Sequence, residues 1–117
     1  MGHLDQTNPF VLAGNFNLDP VDGEGMQAAL HTILPHPNVQ DPKPQSDGGS
    51  IAAGPDHSGD PALDTFDWTD GSPRNLRVSY NLTSANLNVI NSGIHWPLEH
   101  TNDASRRRIV WGDVMLP

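Results

Sequence analysis

Cysteine is absent from this chain. Disulfides, thiolate nucleophiles and zinc–thiolate centres are excluded together, and no compartment is identified by that absence. Positive charge is nearly as scarce. Lys43 is the only lysine, and with the arginines it makes six basic residues against 14 acidic ones, for a net charge of -8. Such a surface repels a polyanion at long range, so nucleic acid is not an expected partner. Long hydrophobic runs are missing as well. No segment approaches the length of a membrane-spanning helix, and Met1-Gly2-His3-Leu4-Asp5 lacks the basic start and apolar run of a signal peptide. The expectation is a soluble protein with no membrane partner. There is no Gly-x-Ser-x-Gly elbow for a serine hydrolase. The six histidines, His3, His31, His36, His57, His95 and His100, show no metal-ligand spacing, so no metal site is assigned to them. Asn17 to Glu24 has the wrong spacing for a calcium loop. Asn81-Leu82-Thr83 matches a glycosylation sequon, a pattern common by chance, in mid-strand here.

What is present fits one domain over residues 1–117 with a modest core. Residues 9–34 read as strand then helix. Phe10 to Ala13 is a short apolar run before a glycine, the pattern of a buried strand. Asp22-Gly23-Glu24-Gly25 then opens a helix, with Asp22 as N-cap and the acidic pair at the positive end of the helix dipole. Met26, Ala29, Leu30, Ile33 and Leu34 share one helical face, and Pro35 and Pro37 stop the run. Residues 35–75 are rich in proline and aspartate and lose all periodicity, so they read as one long irregular loop. Residues 76–116 read as β. Leu76, Val78, Tyr80 and Leu82 alternate with Arg77, Ser79, Asn81 and Thr83. Ser84-Ala85-Asn86 turns the chain, and a strand from Leu87 is expected to complete a hairpin. Ile94 to Pro97 reads as a further short strand. Ile109 to Leu116 reads as the last, with a bulge expected at Gly112.

Three short stretches, in order, carry a resemblance: Gly14-Asn15-Phe16-Asn17 after the first strand, Arg77-Val78-Ser79-Tyr80, and Ser105-Arg106-Arg107 before the last strand. With Asp64-Thr65-Phe66-Asp67-Trp68 and Asn75-Leu76-Arg77 they resemble the C-terminal half of an endonuclease/exonuclease/phosphatase domain, the DNase I-like superfamily of metal-dependent phosphoesterases, and a bacterial subgroup of it. The resemblance covers roughly residues 9 to 116. It implies an α+β fold: half of a DNase I-like α/β sandwich, with one mainly antiparallel sheet, one main helix and a long Pro/Asp-rich loop. It also implies Mg2+ or another divalent metal, held in that superfamily by carboxylates at Gly-Asp-x-Asn, Arg-x-Asp-Tyr and Ser-Asp-His motifs. There the metal neutralises phosphoryl oxygens while a base activates water.

This sequence departs from that pattern where the chemistry sits. Asn17 matches the motif asparagine. Asn15 and Ser79 replace aspartates, Arg107 stands at the histidine position, and Arg106 stands at its aspartate. Loss of one general acid–base group costs roughly 10²–10⁴-fold in rate, and losses within a unit leave only residual binding effects. A permanent cation at Arg107 opposes a metal but suits a phosphate. The catalytic motif positions are therefore Asn15, Asn17, Ser79 and Arg107, mostly altered, and the anion-binding candidates are Arg106, Arg107 and Arg77. Plainer roles compete: Asn15 and Asn17 suit a turn after a strand, and Arg106 to Arg108 suits a solvated edge.

Two functions follow as expectations. One is a degenerate phosphoesterase-like half-domain, weakly active or inactive, that binds a phosphate-containing small molecule. The other is an active hydrolase, phosphoesterase or esterase, whose site is rebuilt from Asn17, Asp19 and the acidic loop and completed by oligomerisation. Since the motifs cover one half of a two-sheet fold, a homodimer is expected to cover the open face.

Overall fold

The Phe10 to Ala13 run does form a strand, and it meets the chain's longest alternating segment to begin the main sheet. A computed structural model describes residues 8–22, 27–53, 57–68, 75–98 and 105–116. Met26 and the Gly23-Glu24-Gly25 stretch of the expected helix start lie outside these residues, as do His3 and His100. Strand β1 (Val11–Asn15) pairs antiparallel with β5 (Ser79–Ser84), from Val11 opposite Thr83 to Asn15 opposite Ser79. The short β2 (Val39–Gln40) flanks β5 on its other side. Two further antiparallel pairs stand apart from this three-stranded sheet: β3 (Phe66–Asp67) with β4 (Asn75–Leu76), and β6 (Asn88–His95) with β7 (Ile109–Met115). Among the described residues the architecture is α+β with three small antiparallel sheets, not the one sheet expected. Breaks between strands divide it: Arg77 and Val78 interrupt β4 and β5, and their backbone groups bond to loops.

The expected hairpin at Ser84–Asn86 turns correctly, with the Leu87 amide donating to the Ser84 carbonyl. Its second arm nevertheless leaves β5. Strand β6 runs through the expected separate strand at Ile94 and pairs with β7 instead. The register shift lies between Val89 and Asn91, not at Gly112. Pairing choice is non-local, and alternation in one strand says nothing of its neighbour.

Helix α1 (Ala28–Ile33) is shorter than its apolar pattern, and its N-cap position is Gln27, without a side-chain cap. Asp22, expected there, is used elsewhere. The Leu30 face packs with Val39, Tyr80 and Leu82 into the core, ringed by Phe10, Leu12, Phe16, Leu18, Ile33 and Leu34. Tyr80 stacks on Phe16 with ring centroids 5.0 Å apart. Its hydroxyl sits 2.7 Å from the Leu18 carbonyl and 2.9 Å from that of Arg77.

The 35–75 stretch is more ordered than its composition suggests. Besides β2 and β3 it holds a second helix, α2 (Asp47–Ala52), and a 3-10 turn at Pro61–Leu63. Ser46 caps α2 by accepting from the Gly49 amide at 3.0 Å. Gly48 and Gly49 weaken a helix on intrinsic grounds, but close packing requires them. A Cβ on Gly48 would collide with the Trp96 carbonyl oxygen and lie 2.5 Å from its Cδ1; one on Gly49 would lie 2.5 Å from the Pro61 carbonyl oxygen.

The core covers one face of the main sheet. On the other, Val11, Ala13, Thr83, Trp111 and Val114 line an apolar groove of about 180 Å³ between β1–β5 and the β6–β7 pair. Strand β1 is mostly exposed rather than buried, and so is β7. No described helix is long and apolar enough to cross a membrane.

Candidate anion site and its buried polar support

The end of β1 and the start of β5 form one corner. Asn15 is the register partner of Ser79, so two positions 64 residues apart in sequence are neighbours across the sheet. The Asn15 side chain accepts from the Asn17 amide at 3.0 Å, a local turn that Asn17 completes with φ +55°. The plainer role expected for these asparagines is therefore realised. The amides of Phe16 and Asn17 both point at the Val78 carbonyl, at 2.7 and 3.3 Å.

Thr65 supports this corner from below. Its hydroxyl oxygen accepts from the amides of Val78 and Ser79, each at 3.0 Å. Its carbonyl accepts from the Arg108 amide at 2.8 Å. Phe66 forms an isolated bridge with Arg107, whose guanidinium sits 5.1 Å from the Phe66 ring centre. Contacts thus run from Asn15 to Ser79, through the Thr65 hydroxyl, and from the Thr65 carbonyl to the arginine run. Arg106 and Arg107 are exposed, and among the described residues neither is in an ion pair.

Arg77 does not serve as a free anion binder. It is buried, and its two terminal nitrogens each donate to an Asp41 carboxylate oxygen at 2.6 Å. This bidentate pair lies over the Tyr80 ring, with the guanidinium carbon 4.4 Å from the ring centre. The alternation that grouped Arg77 with Ser79 and Asn81 fails at this residue, because Arg77 lies between β4 and β5 and pairs with Asp41.

The residues at the motif corner do not fit a divalent cation. Asn15, Asn17, Ser79 and Arg107 offer no carboxylate, and among the described residues no group of three His, Asp or Glu side chains could hold a metal ion.

No family model, curated protein or solved structure matches this chain.

The aspartates nearby act as staples. Asp19 closes its own turn through the Val21 and Asp22 amides and accepts from the Arg77 amide at 2.6 Å. Asp22 accepts from the Ser58 and Gly59 amides at 2.9 and 2.8 Å. His57 lies between Asp22 and Asp64, its Nδ1 3.3 Å from Asp22 and its Nε2 2.6 Å from Asp64. The latter contact is off hydrogen-bond alignment, so the attraction is chiefly charge on charge. Burial pushes Asp64 up to about 7; the adjacent His57 opposes that rise, and the neighbouring Asp19 and Asp22 charges add to it. Burial lowers the His57 pKa, but Asp64, the Gly59 carbonyl and Asp22 outweigh it and leave the ring above its ordinary 6.5. The sequence reading missed this cluster. Its members are 22, 57 and 64, a spacing with no periodic signature.

Proposed function

We propose that this chain is a degenerate DNase I-like half-domain that binds a phosphate-containing small anion at the Asn15–Ser79–Arg107 corner without hydrolysing it. The observation that supports the reading is the pairing of Asn15 with Ser79, joined through Thr65 to the Arg107 bridge. Asn15 and Ser79 pair directly, Arg107 is linked to them through Phe66 and Thr65, and each position carries a neutral or cationic group in place of the resemblance's carboxylate or histidine. Asparagine and serine offer hydrogen bonds, and an exposed arginine offers charge and a bidentate fork.

The test is an amide-resolved NMR titration with inorganic phosphate. Shifts are expected at Asn15, Asn17, Ser79 and Arg107. Charge-assisted hydrogen bonds contribute about 1.5–3 kcal/mol, so Arg107→Ala is expected to weaken binding roughly ten-fold or more. Phosphate shifts that ignore this corner, or that survive Arg107→Ala unchanged, would rule the reading out.

The second part of the proposal is a homodimer. Val11, Trp111, Val114 and Met115 are exposed on or beside the groove, and apolar surface of this kind is a liability unless covered. A second copy is the occupant proposed. Light scattering across a dilution series is expected to show twice the chain mass at micromolar concentration. Val114→Glu is expected to shift it to monomer. A wild-type chain that stays monomeric throughout the series would refute the dimer.

A further inference from the structure

Both ring nitrogens of His57 face oxygen acceptors. Nδ1 has the Gly59 carbonyl at 3.0 Å and Asp22 Oδ2 at 3.3 Å. Nε2 has Asp64 Oδ2 at 2.6 Å and the Asn75 carbonyl at 3.2 Å. A neutral imidazole has one N–H donor. With a neutral ring and an ionised Asp64, one nitrogen lone pair would therefore point at oxygen lone pairs inside a buried site. The arrangement is satisfied in only two ways: an imidazolium that donates on both sides, or a neutral ring facing a protonated Asp64. Each needs one proton more than a neutral histidine beside an aspartate.

We propose that this one proton, shared by His57 and Asp64, is a clasp that holds segment 57–64 against the 19–22 turn and β4, and that its loss as pH rises releases the segment. The described charged groups around the clasp are mostly acidic. Asp19 and Asp22 face it from the turn after β1, Asp60 and Asp64 flank it on the segment itself, and Arg77 faces it from the strand side. They surround a space of only about 30 Å³. Arg77 is committed to Asp41, so it does not replace the missing proton. Without that proton, Asp22 and Asp64 face each other across a neutral ring as two buried like charges.

The consequence for stability has one sign. The folded pair holds its shared proton more tightly than an unfolded histidine holds its own, because Asp64, the Gly59 carbonyl and Asp22 all favour the charged ring. The folded state therefore holds more protons, and stability falls as pH rises. The His57 share is complete below 6.5 and is lost as pH climbs through its higher folded value. Release has a reach beyond the segment, because 57–64 leads straight into Thr65, whose hydroxyl supports the amides of Val78 and Ser79.

The test uses the full chain with ¹⁵N-labelled histidine, following the ring nitrogens from pH 5.5 to 9. Amide-exchange protection factors at Ser58 and Gly59 are followed in parallel. The expected result is a His57 midpoint above its ordinary 6.5, with protection at Ser58 and Gly59 falling at least ten-fold across the same midpoint. Asp64→Asn removes the second charge and supplies an amide N–H for the Nε2 lone pair of a neutral His57 that donates through Nδ1 to the Gly59 carbonyl. In that variant the protection is expected to lose its pH dependence in this range. A His57 midpoint at or below 6.5, unchanged protection through its titration, or the same pH-dependent loss in Asp64→Asn would each overturn the clasp.

Discussion

Asp41→Ala is expected to destabilise the fold by about 3–5 kcal/mol, the cost of leaving one partner of a buried ion pair uncompensated. Arg77 is 3% exposed, and Asp41 takes both of its terminal nitrogens at 2.6 Å. Removing the carboxylate strands a guanidinium that cannot shed its proton. The Tyr80 ring beneath it offers only a partial substitute. A domain of this size has about 5–15 kcal/mol in total, so the variant sits near the edge of folding. The double variant Asp41→Ala/Arg77→Met removes both charges, and it is expected to recover much of the loss because apolar replacement of a whole buried pair is often near neutral. Urea unfolding of the two variants and the wild type measures this. A single variant within 1 kcal/mol of wild type would show that the pair is open to water.

Val78→Asp is expected to cost as much or more, by a different route. Val78 is 1% exposed. Its amide is bonded to the Thr65 hydroxyl, and its carbonyl receives the Phe16 and Asn17 amides. The backbone there cannot move to water without breaking the corner that joins β1 to β5. A buried carboxylate without a partner costs several kcal/mol even after its pKa rises. The control Val78→Ala removes only apolar volume and is expected to cost less, roughly in the lower range of large-to-small core changes. Circular dichroism of purified material checks both. A soluble, cooperatively unfolding Val78→Asp protein would mean that residue 78 faces solvent.

How far the sequence carried depended on the range of each signal. The β5 alternation was legible because period two is set by the backbone alone: Val78, Tyr80 and Leu82 are buried, while Ser79 and Asn81 are half-buried. It fails at the strand's end, where Thr83 and Ser84 are both buried. The apolar face around Leu30 was legible too, since Ile33 and Leu34 pack beside it. The start of α1 was not, because Asp22 satisfies the Ser58 and Gly59 amides rather than those of a first turn. Helix α2 was hidden by its own glycines, whose reasons lie at a distance, at Trp96 for Gly48 and at Pro61 for Gly49. In the site, Asn15, Ser79 and Arg107 could be named from the resemblance, but the Asp41 partner of Arg77 and the His57 cluster could not. Those contacts join residues 36, 35 and 7 positions apart, and no local pattern specifies which aspartate turns inward.

The Asn15–Ser79–Arg107 corner is proposed to hold an anion without hydrolysing it. Its most direct test is turnover of a generic phosphodiester by the purified chain with magnesium, manganese or calcium, each run beside a chelator control. Release no faster than buffer is expected in all three metals, with no change on chelation, because Asn15, Ser79 and Arg107 supply neither a metal-binding carboxylate nor a general base. Robust turnover that the chelator abolishes would contradict it.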